Sequence, residues 1–156
     1  MAYWLMKSEP NEYSIDDLEH DPKGWEHWDG VRNYQARNYM RQMKVGDRVF
    51  FYHSNTDVPG IVGVAEVCRE AYPDHTAFDP DDKHYDPKSD PDKPRWFMVD
   101  VRFVEKFPGT LSLQTLRQHA EALGDFPLLR KGNRLSVMPV SDDQWHYLYT
   151  LARKID

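Results

Sequence analysis

Between Trp28 and Arg37 the chain reads WDGVRNYQAR, which sets an indole, a carboxylate, a glycine, two guanidiniums and two side-chain amides within ten residues. An exposed ring at Trp28 can stack on a nucleobase, and Asp29 beside it can accept from an exocyclic amine. Arg32 and Asn33 stand where a helical spacing begins, and free backbone N–H groups with the helix dipole favour an anion there. A second group, LLRKGNRLS, carries Arg130, Lys131 and Arg134 around Gly132. Basic side chains on a flexible turn suit phosphate contact. Each piece also has a plainer role: Trp28 plugging the end of a core, Arg32 pairing with Asp29, the basic turn as ordinary surface. Taken singly, the plainer role is the better account of each.

Enzyme constellations are missing from the sequence. It has no G-x-S-x-G elbow, no P-loop and no G-x-G-x-x-G, and its 7 histidines are scattered. The acidic run FDPDDKHYDPKSDPD lacks the central glycine and closing glutamate of a calcium loop. Asp74, Asp81 and Lys83 hold the ingredients of a metal-dependent nuclease, but on a proline-broken segment instead of the rigid paired strands such a site needs. The single Cys68 lies in an alternating apolar run and reads as a core residue. Neither a metal nor a cofactor is expected.

The formal charge is −6, which argues against a protein that coats nucleic acid by bulk electrostatics. Its distribution is uneven: residues 9–29 carry a net −7, residues 32–48 a net +4, and residues 74–92 a net −5. A local basic patch in an acidic chain suits a small anionic target or one defined position on a polymer. As a charge run alone, it reads better as a solvated helix face.

The elements that must position these groups follow from periodicity. AYWLMK opens as a strand, and SIDDLEH as a short helix with Ser14 as N-cap. DPKGWEHWDG, punctuated by Pro22, Gly24 and Gly30, reads as a loop. From Asn33 the spacing is helical, with Ala36, Tyr39, Met40 and Met43 on one face, and Gly46 ends it. RVFFYH and GIVGVAEVC are strands joined by a polar turn. Tyr72 to Pro94 is a long aperiodic loop, RWFMVDVRFV the longest strand, SLQTLRQHAEAL a helix and RLSVMPV a last short strand. SDDQWHYLYTLARK closes the chain as a helix with Ser141 and Gln144 in capping-box positions. The order predicts one α+β domain over residues 1–156, a mostly antiparallel sheet curled toward a barrel and surrounded by helices. A chain of this length buries roughly 70% of its unfolded surface, enough for its own core. No apolar run approaches a membrane span, and a cytoplasmic monomer is the default expectation.

Together, YWLMKSEP, WDGVRNYQARN, MKVGDRVFFYHSN, GIVGVAEV, AYPD, FDP, YDPKS, PRWFMVDV and LLRKGNRLSVMPV resemble the signature blocks of EVE domains, in the same order from Tyr3 to Val140. The resemblance implies a PUA-like pseudo-barrel related to YTH and ASCH domains. It further implies a non-catalytic module that binds nucleic acid carrying a modified base, 5-methylcytosine or 5-hydroxymethylcytosine in DNA or a modified base in RNA. Carried onto this chain, Lys7, Ser8 and Glu9 border the base pocket, Trp28 is similar in placement to a cage aromatic, and Asp29 and Asn33 follow it. His53, Ser54 and Asn55 end a strand at the same mouth. Arg32, Arg37, Arg130, Lys131, Arg134 and Ser136 are the expected phosphate or anion contacts, and Tyr72, Phe78 and Tyr85 are candidates for a second cage wall. The alternatives are a module binding a small metabolite or nucleotide and, last, a metal-dependent nuclease.

Overall fold

Successive residues of a strand face opposite sides of its sheet. In the first strand, Trp4 and Met6 enter one hydrophobic core while Leu5, between them, enters another. The strand carrying Phe50, Phe51 and Tyr52 divides in the same way, which explains an unbroken apolar run where a half-solvated strand would alternate. The computed structural model describes residues 1–155. Among them are β1 (Tyr3–Ser8), α1 (Ile15–Glu19), β2 (Trp25–His27), α2 (Tyr34–Gln42), β3 (Arg48–His53), β4 (Gly60–Pro73), β5 (Phe97–Ser112), α3 (Leu113–Gln118), α4 (Ala120–Leu123), β6 (Val137–Val140) and α5 (Asp142–Arg153).

The six strands form one sheet in the order β2-β5-β4-β3-β1-β6. Every pairing is antiparallel except β1 with β3, which run parallel from Tyr3 opposite Arg48 to Ser8 opposite His53. Bulges bend β4 against β5 at four places, so the sheet curls but leaves β2 and β6 as free edges. One face packs against α1 and α2, through Ile15, Leu18, Ala36 and Met40. The other packs against α3 to α5, where Trp145 stacks on Phe50 at 3.8 Å and on Tyr3 at 4.5 Å.

The expected α+β architecture is present, with three local differences. Trp25–His27, expected within a loop, pairs with β5 as a three-residue edge strand; Pro22 and Gly24 before it mask so short an element. The helix predicted over SLQTLRQHAEAL breaks at His119 into α3 and α4. The segment after Tyr72 is not wholly irregular, since His75–Phe78 form a 3₁₀ turn. Both capping expectations hold: the Ser14 and Ser141 side chains each accept the N–H of the third helical residue, and that residue's side chain accepts the cap N–H in return.

Candidate nucleic-acid interface

The register of β1 against β3 decides where the site lies. Both strands end at one mouth of the sheet, and the Ser54 N–H donates to the Ser8 carbonyl at 3.0 Å. The Lys7 N–H donates to the Ser136 carbonyl at 2.8 Å, which brings the RKGNRLS turn to the same mouth. Into this mouth opens a cavity of about 730 Å³. Lys7, Ser8 and Glu9 form one side, Trp28 and Asp29 another, and Asp81 to His84 of the long loop a third; Glu12, Tyr13, Glu26 and His27 complete it.

The WDG segment is held by a buried carboxylate. Asp74, with no exposed surface, accepts the Gly30 N–H at 2.8 Å, Arg32 Nη1 at 3.1 Å, the Thr76 N–H at 2.9 Å and the Thr76 hydroxyl at 2.6 Å. Burial by itself would raise its pKa, but the hydrogen bonds from Thr76, Gly30 and Arg32 outweigh it and hold the group below the usual carboxylate range. Arg32 also donates from Nη2 and Nε to the His84 carbonyl, at 2.6 and 3.1 Å, so the same node fastens the far wall of the cavity. Gly30 has φ of +76°, and a Cβ there would lie 2.6 Å from the His84 ring; only glycine satisfies both conditions.

Trp28 is mostly core. It is 8% exposed and meets Phe51 edge-on at 5.3 Å, so only a margin of the indole reaches the cavity. Asp29 is different. The His27 ring nitrogen Nε2 lies 3.7 Å from it, no described group hydrogen-bonds to its carboxylate, and burial together with the charge of Asp74 pushes its pKa upward. Lys7 pairs with no described carboxylate; its ammonium lies 5.7 Å from the Tyr52 ring centre, and burial lowers its pKa.

Several expected site residues are engaged elsewhere. Asn33 caps α2, accepting the Ala36 N–H at 2.9 Å. His53 Nε2 accepts the Ile15 N–H at 3.1 Å at the start of α1, and burial lowers its pKa. Ser54 and Asn55 lie outside the cavity lining, although Asn55 braces its rim by donating to Glu9 at 2.6 Å. Among the expected anion contacts, the Arg32 donors are consumed by the node described above. Arg37 donates to the Arg95 carbonyl at 2.9 Å and lies 4.8 Å from the Tyr34 ring. Arg130 is clamped on Asp125 at 2.9 and 3.0 Å. Lys131 and Arg134 are exposed and form no ion pair among the described residues, and they flank a turn in which Asn133 donates to the Pro127 carbonyl at 2.7 Å.

The expected second wall is corrected. Tyr72 donates to Asp100 and lies under the Arg69 guanidinium, and neither Phe78 nor exposed Tyr85 lines the cavity. Asp81, Asp82, Lys83 and His84 stand there instead, with Lys83 bound to Glu12. The only sequence signal for them was the long acidic loop itself. A nuclease site built on Asp74 is also ruled out by geometry, because that carboxylate is sealed in the interior with its oxygens occupied.

Comparison with known proteins agrees with this architecture. The chain is 45% identical to rat thymocyte nuclear protein 1, an alignment covering 96% of this chain and 73% of that protein. A solved structure from Pseudomonas putida is 53% identical with a TM-score of 0.92, covering 97% of this chain and 99% of that one. Human THYN1, solved in complex with DNA containing 5-methylcytosine, is 41% identical with a TM-score of 0.94 over the whole of both chains. A YTH domain from Zygosaccharomyces rouxii shares the fold at 12% identity and a TM-score of 0.55. The cytoplasmic expectation is overturned, since the rat, human and mouse relatives all bear the name thymocyte nuclear protein 1. The sequence model of the EVE domain matches residues 2–151, and the chain belongs to the EVE domain family.

Proposed function

We propose that this chain is a non-catalytic reader of DNA carrying a modified base, and that the base enters the cavity between Lys7, Trp28 and His84. The observation that carries the reading is the cavity itself, walled by Trp28 and by Asp29 and Lys7, whose charged groups make no hydrogen bond among the described residues, in a chain superposing closely on human THYN1 solved with 5-methylcytosine DNA. Six carboxylates and two lysines line the cavity, so phosphate is repelled from its interior and a nucleotide enters base first. Phosphate anchoring falls to Lys131 and Arg134, exposed on the turn that leads to Ser136, whose carbonyl accepts the Lys7 N–H.

Flipping a base from a duplex costs a few kcal/mol. The exposed margin of Trp28 gives van der Waals contact short of full stacking, and each hydrogen bond to a charged group returns about 1.5–3 kcal/mol. Burying the methyl carbon adds about 0.8 kcal/mol, which gives roughly fourfold preference over unmodified cytosine and no more. Titrating duplexes that differ in one 5-methyl group, while following tryptophan fluorescence, tests the proposal. Tighter binding of the methylated duplex supports it, and equal or absent binding to both removes it.

A further inference from the structure

Around the cavity, the acids differ in whether their oxygens are occupied. Glu12 is bound by Lys83, Glu9 accepts from Asn55, Glu26 accepts the His27 N–H at 3.0 Å, and Asp82 accepts the His84 N–H at 2.8 Å. Asp81 is exposed to solvent. Asp29 is one-third exposed and accepts from no described donor, and the Gly30–Asp74 hydrogen bond fixes the backbone next to it. The His27 ring nitrogen lies 3.7 Å from it, beyond hydrogen-bond distance, so a carboxylate so placed keeps its acceptor capacity in a fixed position.

We infer that Asp29 reads the exocyclic amine of the base in this cavity, so that the site takes an amino-bearing pyrimidine and rejects thymine and uracil. This rests on the base-binding reading above. An ionised carboxylate is acceptor-only; the amine of cytosine meets it with a hydrogen, whereas the carbonyl of thymine would face it with a second acceptor. Lys7, free of any described carboxylate, supplies a donor on another wall for a carbonyl of the same base. The 5-methyl group is common to 5-methylcytosine and thymine, so burial of that methyl cannot separate them. The choice between a methylated cytosine and its deamination product depends on the group that meets position 4.

The test places 5-methylcytosine or thymine opposite an abasic site in otherwise identical duplexes, which removes base-pairing strength from the comparison. The native chain is expected to bind the 5-methylcytosine duplex about 10–100-fold more tightly, the range for a hydrogen bond to a charged acceptor. In Asp29→Asn the amide offers a donor as well as acceptors, and the preference should collapse to within about threefold. Asp29→Ala should lose affinity for 5-methylcytosine without gaining any for thymine. Both variants should keep their melting temperature, because Asp29 makes no hydrogen bond to lose and its removal relieves repulsion with Asp74. Equal binding of the two duplexes by the native chain, or full preference retained in Asp29→Asn, overturns the inference alone. Absence of binding to either duplex overturns the base-binding reading along with it.

Discussion

Arg32 and Asp74, 42 residues apart in sequence, meet at 3.1 Å in a pair whose carboxylate is wholly buried. That contact ties the segment carrying Trp28 and Asp29 to the end of β4, and through the His84 carbonyl to the loop across the cavity. It is a positioning device. Removing Arg32 leaves a buried charge without its cation.

Arg32→Ala is therefore expected to cost stability. Breaking a buried pair from one side costs about 3–5 kcal/mol, and the quarter exposure of Arg32 places this case near the lower end. At about 2–4 °C per kcal/mol for a domain of this size, the melting temperature should fall by about 6–12 °C in a thermal scan. An unchanged melting temperature with lost DNA binding would instead make Arg32 a phosphate contact. Asp74, with its pKa held low, stabilises the fold above the ordinary carboxylate range, and that contribution is lost as pH falls through its folded value.

Trp28→Ala should lower stability as well as binding. An indole 8% exposed and packed on Phe51 belongs to the core, where such a truncation costs about 3–5 kcal/mol. Trp28→Phe should retain most of the stability while weakening binding, and the two melting temperatures measured beside the two affinities separate the roles.

Lys131→Ala combined with Arg134→Ala should weaken binding equally for methylated and unmethylated duplexes. Phosphate contacts carry no base information, and each removed cation lowers the dependence of log affinity on log salt by about one. A titration repeated over a salt series should give a slope shallower by about two. A loss confined to the methylated duplex would place these residues at the base.

His53 should make the fold sensitive to mild acid. Its neutral Nε2 accepts the Ile15 N–H, and burial lowers its pKa, opposed by Asp16 and Asp17 and assisted by Lys106. The folded state binds the proton less readily than the unfolded chain. The contribution is thus complete above the ordinary histidine range of about 6.5 and is lost as pH falls from there through the folded value. About 1 kcal/mol should disappear between neutral and mildly acidic pH, and in His53→Gln that part of the pH dependence of melting should be absent.

What the sequence disclosed of fold and site follows the reach of each interaction. Ser14 and Ser141 were legible as caps because a cap is a rule about four consecutive residues. The mouth shared by Ser8 and His53 was legible once strand ends were known. Asp74 was not, since in sequence it is one of seven aspartates in an acidic run and its partners at Gly30 and Arg32 are distant. For the same reason Arg32 and Arg37 were expected as anion contacts, although their donors are taken by carbonyls and a carboxylate. The loop wall from Asp81 to His84 follows no period, so nothing local favoured it over Tyr72, Phe78 or Tyr85. Trp28 does line the cavity, but spacing cannot tell which part of an indole is packed and which part is open.

The most direct test locates the base. A duplex carrying 5-iodocytosine, whose iodine occupies the position of the methyl group, is bound and irradiated, and the cross-linked peptide is mapped by mass spectrometry. The account predicts attachment within residues 25–30, at or beside Trp28. Attachment confined to α3, α4 or α5, on the opposite core, would contradict it.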